Sequence, residues 1–478
     1  MESCDLEQVI THQKSLLEDI KPSLNQEEYS IVSNNVFLNF DDFLVQYNNV
    51  SVMEKPQMLA DFILRQETKE GGFPVIQNDT CAVFIYYDSI TKVNSCEIIG
   101  DFTAYNAIPM NRLSDNVSFF YFIVSERTPI IHFEFSLRPT TRIDYLFIVD
   151  GISMLDPRNP LQSPSSHGEN SSELAMPQFE QPTEIIYNPN IPHGDLTTLQ
   201  SPWVNPKVQV YLPPNYNPET SYSTIYTGDG SDYIALMSIV NILDNLIADK
   251  RINPVIGVFI DPIDFIPNEP YDFMTRVDWY KCNPEYLTFL DGLVTYIDNT
   301  YSTNRSAYTR LHLGYSISGL TSSFVLIERP QTFKLLASQS GSFRVGSDYQ
   351  IMEKYESASS SLDLKTWFSI GMYENNNNFN VSMVEYTESM AAICTSKDWP
   401  TKLVRIDGCH SYGSWRQVLD DMLEYFFPYK LPLTTSSTTI TSSKSSSTSD
   451  LGYILASVFL LGIANANKRS KKKKILKK

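Results

Sequence analysis

Six consecutive residues, Val255-Ile256-Gly257-Val258-Phe259-Ile260, offer no polar face. A strand of this kind must be buried on both sides. That burial exists in a mainly parallel sheet with helices on each face. The flanking pattern agrees. Val208–Leu212 and Thr224–Thr227 read as strands. Leu236, Ile239, Val240, Leu243, Leu246 and Ile247 share one helical stripe. A helix is predicted near Pro284–Asp298, followed by strands at Leu311–Leu313, Leu335–Ala337, Trp367–Ile370 and Leu403–Ile406. The expected fold class is therefore α/β, with the mainly parallel sheet over residues 206–432.

The rest of this 478-residue chain divides by composition. Residues 1–75 read as helical, from Leu16, Leu17 and Ile20 and again from Met58, Leu59, Phe62 and Ile63. Residues 76–160 switch to short aromatic and β-branched runs, such as Val83–Tyr87, Phe119–Val124 and Tyr145–Val149. Gly100-Asp101 and Asp150-Gly151 bound them, so a small all-β sandwich is expected. Residues 161–205, rich in Pro, Ser and Asn, read as a linker. A Ser/Thr-rich stalk over 433–450 leads to an uncharged segment over 451–467 and a basic tail over 468–478.

The sharpest chemical signal is Gly314-Tyr315-Ser316-Ile317-Ser318-Gly319, between a predicted strand and a helical pattern. A strand–turn–helix of this kind can expose a serine hydroxyl as a nucleophile, and it needs small residues two before and two after. Gly314 and Ser318 meet that need. The order nucleophile, acid, histidine then leaves one base: of six histidines only His410 follows Ser316. Ten carboxylates lie between the two. Glu374 follows the predicted strand Trp367–Ile370 and is the candidate acid. Asp398 is the fallback, and Asp407 is too near His410 in sequence to reach behind it. Backbone N–H groups of Ile317 and Gly230, the latter in Gly228-Asp229-Gly230-Ser231, are the candidate oxyanion donors. The rival reading of that loop, a phosphate cradle, lacks its G-x-x-x-x-G-K-[ST] pattern.

Six cysteines without a CxxC pair or a Cys/His cluster give no metal site, and no cofactor motif is present. Lys plus Arg number 37 against 55 for Asp plus Glu, a net charge of −18, which argues against nucleic acid as a partner. The oligomeric state is not written in these features.

Several stretches together resemble the enterochelin esterase-like branch of the α/β-hydrolases. They are Ile242–Ile252 with Pro254–Asp261, the Gly314–Gly319 turn, Ser338–Ser342, and Gly408-Cys409-His410 with Trp415-Arg416. Upstream, Gly100-Asp101-Phe102, Tyr145–Gly151 and Leu155–Pro160 resemble the immunoglobulin-like early-set domain that precedes such a hydrolase. The resemblance covers roughly 55–430. It implies that Ser316 is the nucleophile, His410 the base, and Gly371–Glu374 the acid loop. Ser318 in place of the usual Gly and Cys409 in place of a common Gly are departures. The implied activity is that of a serine carboxylic-ester hydrolase acting on a small-molecule or siderophore-like ester. A membrane-anchored binding or adhesion protein with a vestigial hydrolase domain is the alternative, as is an acyltransferase using the same triad.

The tail suggests a membrane as a further partner. Sixteen uncharged residues, Leu451–Ala466, precede eight basic side chains in Lys468–Lys478. At ~1.5 Å per residue they span about 24 Å, short of a ~30 Å hydrocarbon core, a gap that snorkelling lysines can cover. A single-pass C-terminal anchor is expected. The positive-inside rule places the catalytic region outside, although residues at Met1 show no leader pattern.

Overall fold

The computed structural model describes residues 37–430, apart from 38, 69–71, 104, 115–116, 126–127, 131–132, 165–169, 201, 204, 265–272, 345–348 and 375–381. The predicted helix around Leu16–Ile20, the stalk, the candidate transmembrane segment 451–467 and the basic tail lie outside the described residues. Among the described residues no helix is long and apolar enough to cross a membrane.

Two helices, Phe40–Asn49 and Lys55–Thr68, open the described chain. Their aromatic stripe is the reason they stay. Phe43 stacks on Phe62 with ring centroids 4.1 Å apart, and both sit in one buried cluster with Val83, Ile85 and Phe119 of the sheet beneath.

The β-rich region that follows contains β1 (Val75–Asn78), β2 (Cys81–Asp88), β3 (Cys96–Gly100), β4 (Ile108–Pro109), β5 (Asn111–Arg112), β6 (Ser118–Val124), β7 (Thr128–Ile130), β8 (Phe133–Phe135), β9 (Arg142–Val149), β10 (Ile152–Met154), β11 (Gln162–Pro164) and β12 (Asn170–Ala175). One sheet runs β1-β2-β6-β5 and the other β11-β12-β9-β3-β4, with β10 on β9. Alternate residues of both sheets, among them Phe84, Phe120, Ile98, Tyr145 and Phe147, fill the core between them.

Here the boundaries differ from the sequence reading. The β-rich region runs to Ala175 rather than 160, and 161–205 is more than a linker. Strands β11 and β12 were hidden because polar interactions hold them. Glu173 of β12 is buried against Arg142, and the Ser172 hydroxyl accepts the Asp156 N–H at 2.8 Å. Such a strand shows no apolar alternation.

Strands β7 and β8 pair with each other, and an eight-stranded sheet follows. Its strands are β13 (Asp195–Thr198), β14 (Val208–Leu212), β15 (Ser223–Gly228), β16 (Val255–Ile260), β17 (Arg310–Tyr315), β18 (Leu335–Gln339), β19 (Lys365–Gly371) and β20 (Thr401–Ile406). Their order is β13-β14-β16-β15-β17-β18-β19-β20. The first two pairings are antiparallel and the rest are parallel. Strand β13 belongs to this sheet, although it too fell within the expected linker. Separate buried clusters lie on the two faces, one around Tyr286, Leu290 and Leu320, the other around Ile242, Leu246 and Trp415. Every residue of β16 is buried. The β-rich region and this α/β region belong to one compact unit ending at Lys430.

Candidate active site

The carboxyl ends of the central parallel strands gather the candidate residues, as expected of an open α/β sheet. Ser316 stands at the junction of β17 and the helix Ser316–Glu328, in the left-handed region at φ +52°. A non-glycine residue there is strained. The turn is possible because its neighbours are small. A Cβ on Gly314 would lie 2.3 Å from the Ser318 carbonyl oxygen, and one on Gly319 would lie 2.8 Å from Ser338 Oγ.

His410 comes from the loop between β20 and the helix Tyr412–Arg416. Its Nε2 is 2.9 Å from Ser316 Oγ, and its Nδ1 is 2.8 Å from Glu374 Oε2. The carboxylate fixes the tautomer: Nδ1–H donates to Glu374, which leaves Nε2 to accept the serine proton. The Trp415 ring stands edge-to-face against the imidazole, centroids 4.8 Å apart. His410 is 37% exposed while Glu374 is 2% exposed, so the imidazole reaches the surface and the carboxylate lies behind it.

Glu374 is buried but fully partnered. Oε1 accepts the Ser340 hydroxyl at 2.6 Å and the Gly371 N–H at 2.9 Å. Ser340 Oγ in turn accepts Trp415 Nε1–H at 2.8 Å. These bonds replace the water the carboxylate has lost and hold both its oxygens. Asp398 is an exposed turn residue after the helix Met383–Ser396, and Asp407 pairs with Arg138 at 2.8 Å. Neither touches His410.

The candidate oxyanion donors begin the helices Ser316–Glu328 and Gly230–Ala235. Asp229, at φ +52°, donates its N–H to the Tyr280 hydroxyl, and the Ser231 N–H goes to Asp261. Neither Ile317 nor Gly230 has a backbone N–H partner among the described residues. Gly230 is required for a reason the sequence concealed: a Cβ there would lie 2.4 Å from the Phe259 carbonyl carbon of β16. A buried ion pair braces this turn. Arg276 bonds both Asp229 oxygens, at 2.7 and 2.6 Å. Beside it, burial and the neighbouring Asp229 push Asp232 up to about 6.

Sequence reasoning did not assign a role to Ser340, Arg276 or Asp229. The small residues of Ser338–Ser342 were the one available signal for the first.

A serine, a histidine and a buried carboxylate aligned at the strand ends of a mixed α/β sheet fit acyl-transfer chemistry, which hydrolases of several classes share. Residues 201–426 match the family model described as "Putative esterase", and the chain is an esterase. The fold is similar to that of the enterobactin esterase of Shigella flexneri determined in the presence of enterobactin, at 18% identity and TM-score 0.58, over 73% of this chain and 94% of that one. It is similar also to the ferric enterobactin esterase of Salmonella typhimurium, at 15% identity and TM-score 0.57, over the same 73% and 94%. In sequence it is 25% identical over 221 residues to the uncharacterized protein YjcH of Bacillus subtilis, 45% of this chain and 88% of that one.

Proposed function

We propose that this esterase works by serine acyl transfer. Ser316 attacks the ester carbonyl while His410 takes its proton. Glu374 orients the imidazole and stabilises the imidazolium, and the N–H groups of Ile317 and Gly230 receive the developing oxyanion. The protonated His410 then gives its proton to the leaving alcohol. Water, activated by the same imidazole, releases the acid and restores Ser316. The observation that carries this reading is the chain of contacts from Ser316 Oγ to His410 to Glu374, at 2.9 and 2.8 Å. That geometry favours a working enzyme over a vestigial domain used for binding. An acyltransferase would differ only in the acceptor that resolves the acyl-enzyme.

The substrate is proposed to be a small-molecule ester. Siderophore-like lactones lead the list, because the fold neighbours are described as enterobactin esterases. The C-terminal segment 451–467 is proposed as a single-pass anchor that holds the catalytic region on the outer face. Cell fractionation tests the anchor, and protease shaving of intact cells tests the side.

The mechanism is tested with a fluorophosphonate probe and a p-nitrophenyl ester. Wild type should label at one serine and show a burst. Ser316→Ala should not label, and turnover should fall by ~10³-fold or more. Full esterase activity in Ser316→Ala would overturn the mechanism.

A further inference from the structure

Both loops that carry the histidine and the acid lean on the N-terminal β-rich region. Arg142, the first residue of β9, is wholly buried. Its Nη1 donates to Ser411 Oγ at 3.1 Å, one residue beyond His410, and its backbone N–H donates to the Asp407 carbonyl at 3.0 Å. The guanidinium fills the space beside Gly413, where a Cβ would lie 2.1 Å from Cζ. Cys409, on the other side of His410, is buried in the core of the β-rich region. The acid loop is held in the same way. The Tyr373 hydroxyl, next to Glu374, is 2.6 Å from Thr141 Oγ1 and donates to the Ser136 carbonyl at 2.8 Å.

The arginine is itself fixed. Asp144 receives Nη2–H at 2.5 Å, and Glu173 receives Nε–H at 2.8 Å. Asp101 closes the set by accepting the Asp144 N–H at 2.8 Å. A buried ion cluster of this kind is weak evidence for stability, since desolvation offsets its attraction. Its planar fork does supply direction. What it points at is the loop of the catalytic base.

We propose that Arg142 is a positioning residue for the reaction: with Thr141 it holds the His410 and Glu374 loops in reacting register from the neighbouring β-rich region. This rests on the Ser316–His410–Glu374 reading above. A displacement of about 1 Å in such a group can cost ~10²-fold in rate. The residues involved touch no reacting atom, so the effect belongs in kcat rather than KM.

Arg142 itself is a poor probe, because its removal strands buried carboxylates and can unfold the chain. Ser411→Ala and Tyr373→Phe remove the far ends of the two contacts and leave the ion cluster whole. Each, in the full chain with a p-nitrophenyl ester, should lower kcat about 10-fold. The double variant should lose about 10²-fold, with KM within threefold of wild type. Ser411→Thr, which keeps a hydroxyl, should recover most of the loss. Fluorophosphonate labelling should slow in parallel, below the unfolding temperature of each variant. If kcat stays within twofold in the double variant, or the loss falls on KM alone, Arg142 is only a structural joint and the proposal fails. Ser316→Ala run beside them separates the outcomes. If it keeps full activity, the triad reading fails; if it is inactive while the double variant is unimpaired, only the positioning role fails.

Discussion

Ser318 occupies room that Gly228 leaves for it: a Cβ on Gly228 would lie 2.7 Å from Ser318 Cβ. In a Gly-x-Ser-x-Gly turn the position two beyond the serine takes the smallest residue, and here the neighbouring strand β15 has given way instead. The extra hydroxyl is used. Ser318 Oγ accepts the Tyr315 N–H at 3.1 Å and donates to Asp229 at 2.6 Å. It therefore links the Ser316 turn to the turn that presents Gly230.

Gly228→Ala should destabilise the chain by ~1–3 kcal/mol through overpacking, and it should lower kcat/KM because the strained Ser316 turn must shift. Thermal unfolding and steady-state kinetics check both effects. Restoration in the double variant Gly228→Ala with Ser318→Gly would tie the loss to this contact. Additive losses would sever that link.

The sheet and the contact chain Ser316–His410–Glu374 were legible because each leaves a local signature. Val255–Ile260 could lie nowhere but between two helix layers, and His410 was the one histidine after Ser316. Glu374, the residue that meets His410, was legible only as the carboxylate following a strand. What the sequence concealed is what depends on distant chain. Glu173 and Arg142 are 31 residues apart, and Arg142 and Ser411 are 269 apart. No periodicity marks such pairs. Strands β11 to β13 were missed for the same reason, since polar partners elsewhere hold β12 and the edge of another sheet holds β13.

Ser340 holds the far side of the Glu374 carboxylate. Ser340→Ala removes a hydroxyl from Glu374 and leaves Trp415 Nε1–H without its acceptor. A buried donor stranded in this way costs about 1–3 kcal/mol. Turnover should fall about 10-fold, since Glu374 keeps the Gly371 N–H and His410. Glu374→Gln is the harsher change. An amide can offer its N–H to His410 and stabilise the wrong tautomer, so kcat should fall by ~10³-fold or more with KM little altered. Equal effects of the two substitutions in stopped-flow acylation would contradict this ranking.

His312 sets an acid limit on stability. It is buried in β17, with Nε2 3.0 Å from the Tyr286 hydroxyl and Nδ1 2.9 Å from Ser322 Oγ. Burial lowers it to about 3, against about 6.5 in an unfolded chain. Between those values the unfolded chain binds a proton that the folded chain does not. Stability from this group is complete above about 6.5 and is lost as pH falls toward 3. His312→Gln should therefore flatten the decline of the urea midpoint between pH 7 and 4.5. An unchanged slope would mean that other groups govern acid unfolding.

Asp101 should act in the opposite sense. It is buried behind Arg142, and burial together with the nearby Asp144 pushes it up to about 7. Its unfolded value is about 3.9. Across that window the folded chain holds a proton that the unfolded chain has released, so stability falls as pH rises and levels off above about 7. Asp232, raised to about 6, contributes with the same sign, so total stability does not isolate either group. The comparison of Asp101→Asn with wild type does. Asparagine keeps an oxygen for the Asp144 N–H and never ionises. The urea midpoint of the variant relative to wild type should rise from pH 4 to about pH 7 and level off above it. A constant difference over that range would place the ionisation of Asp101 outside the window and leave its carboxylate charged throughout beside Arg142.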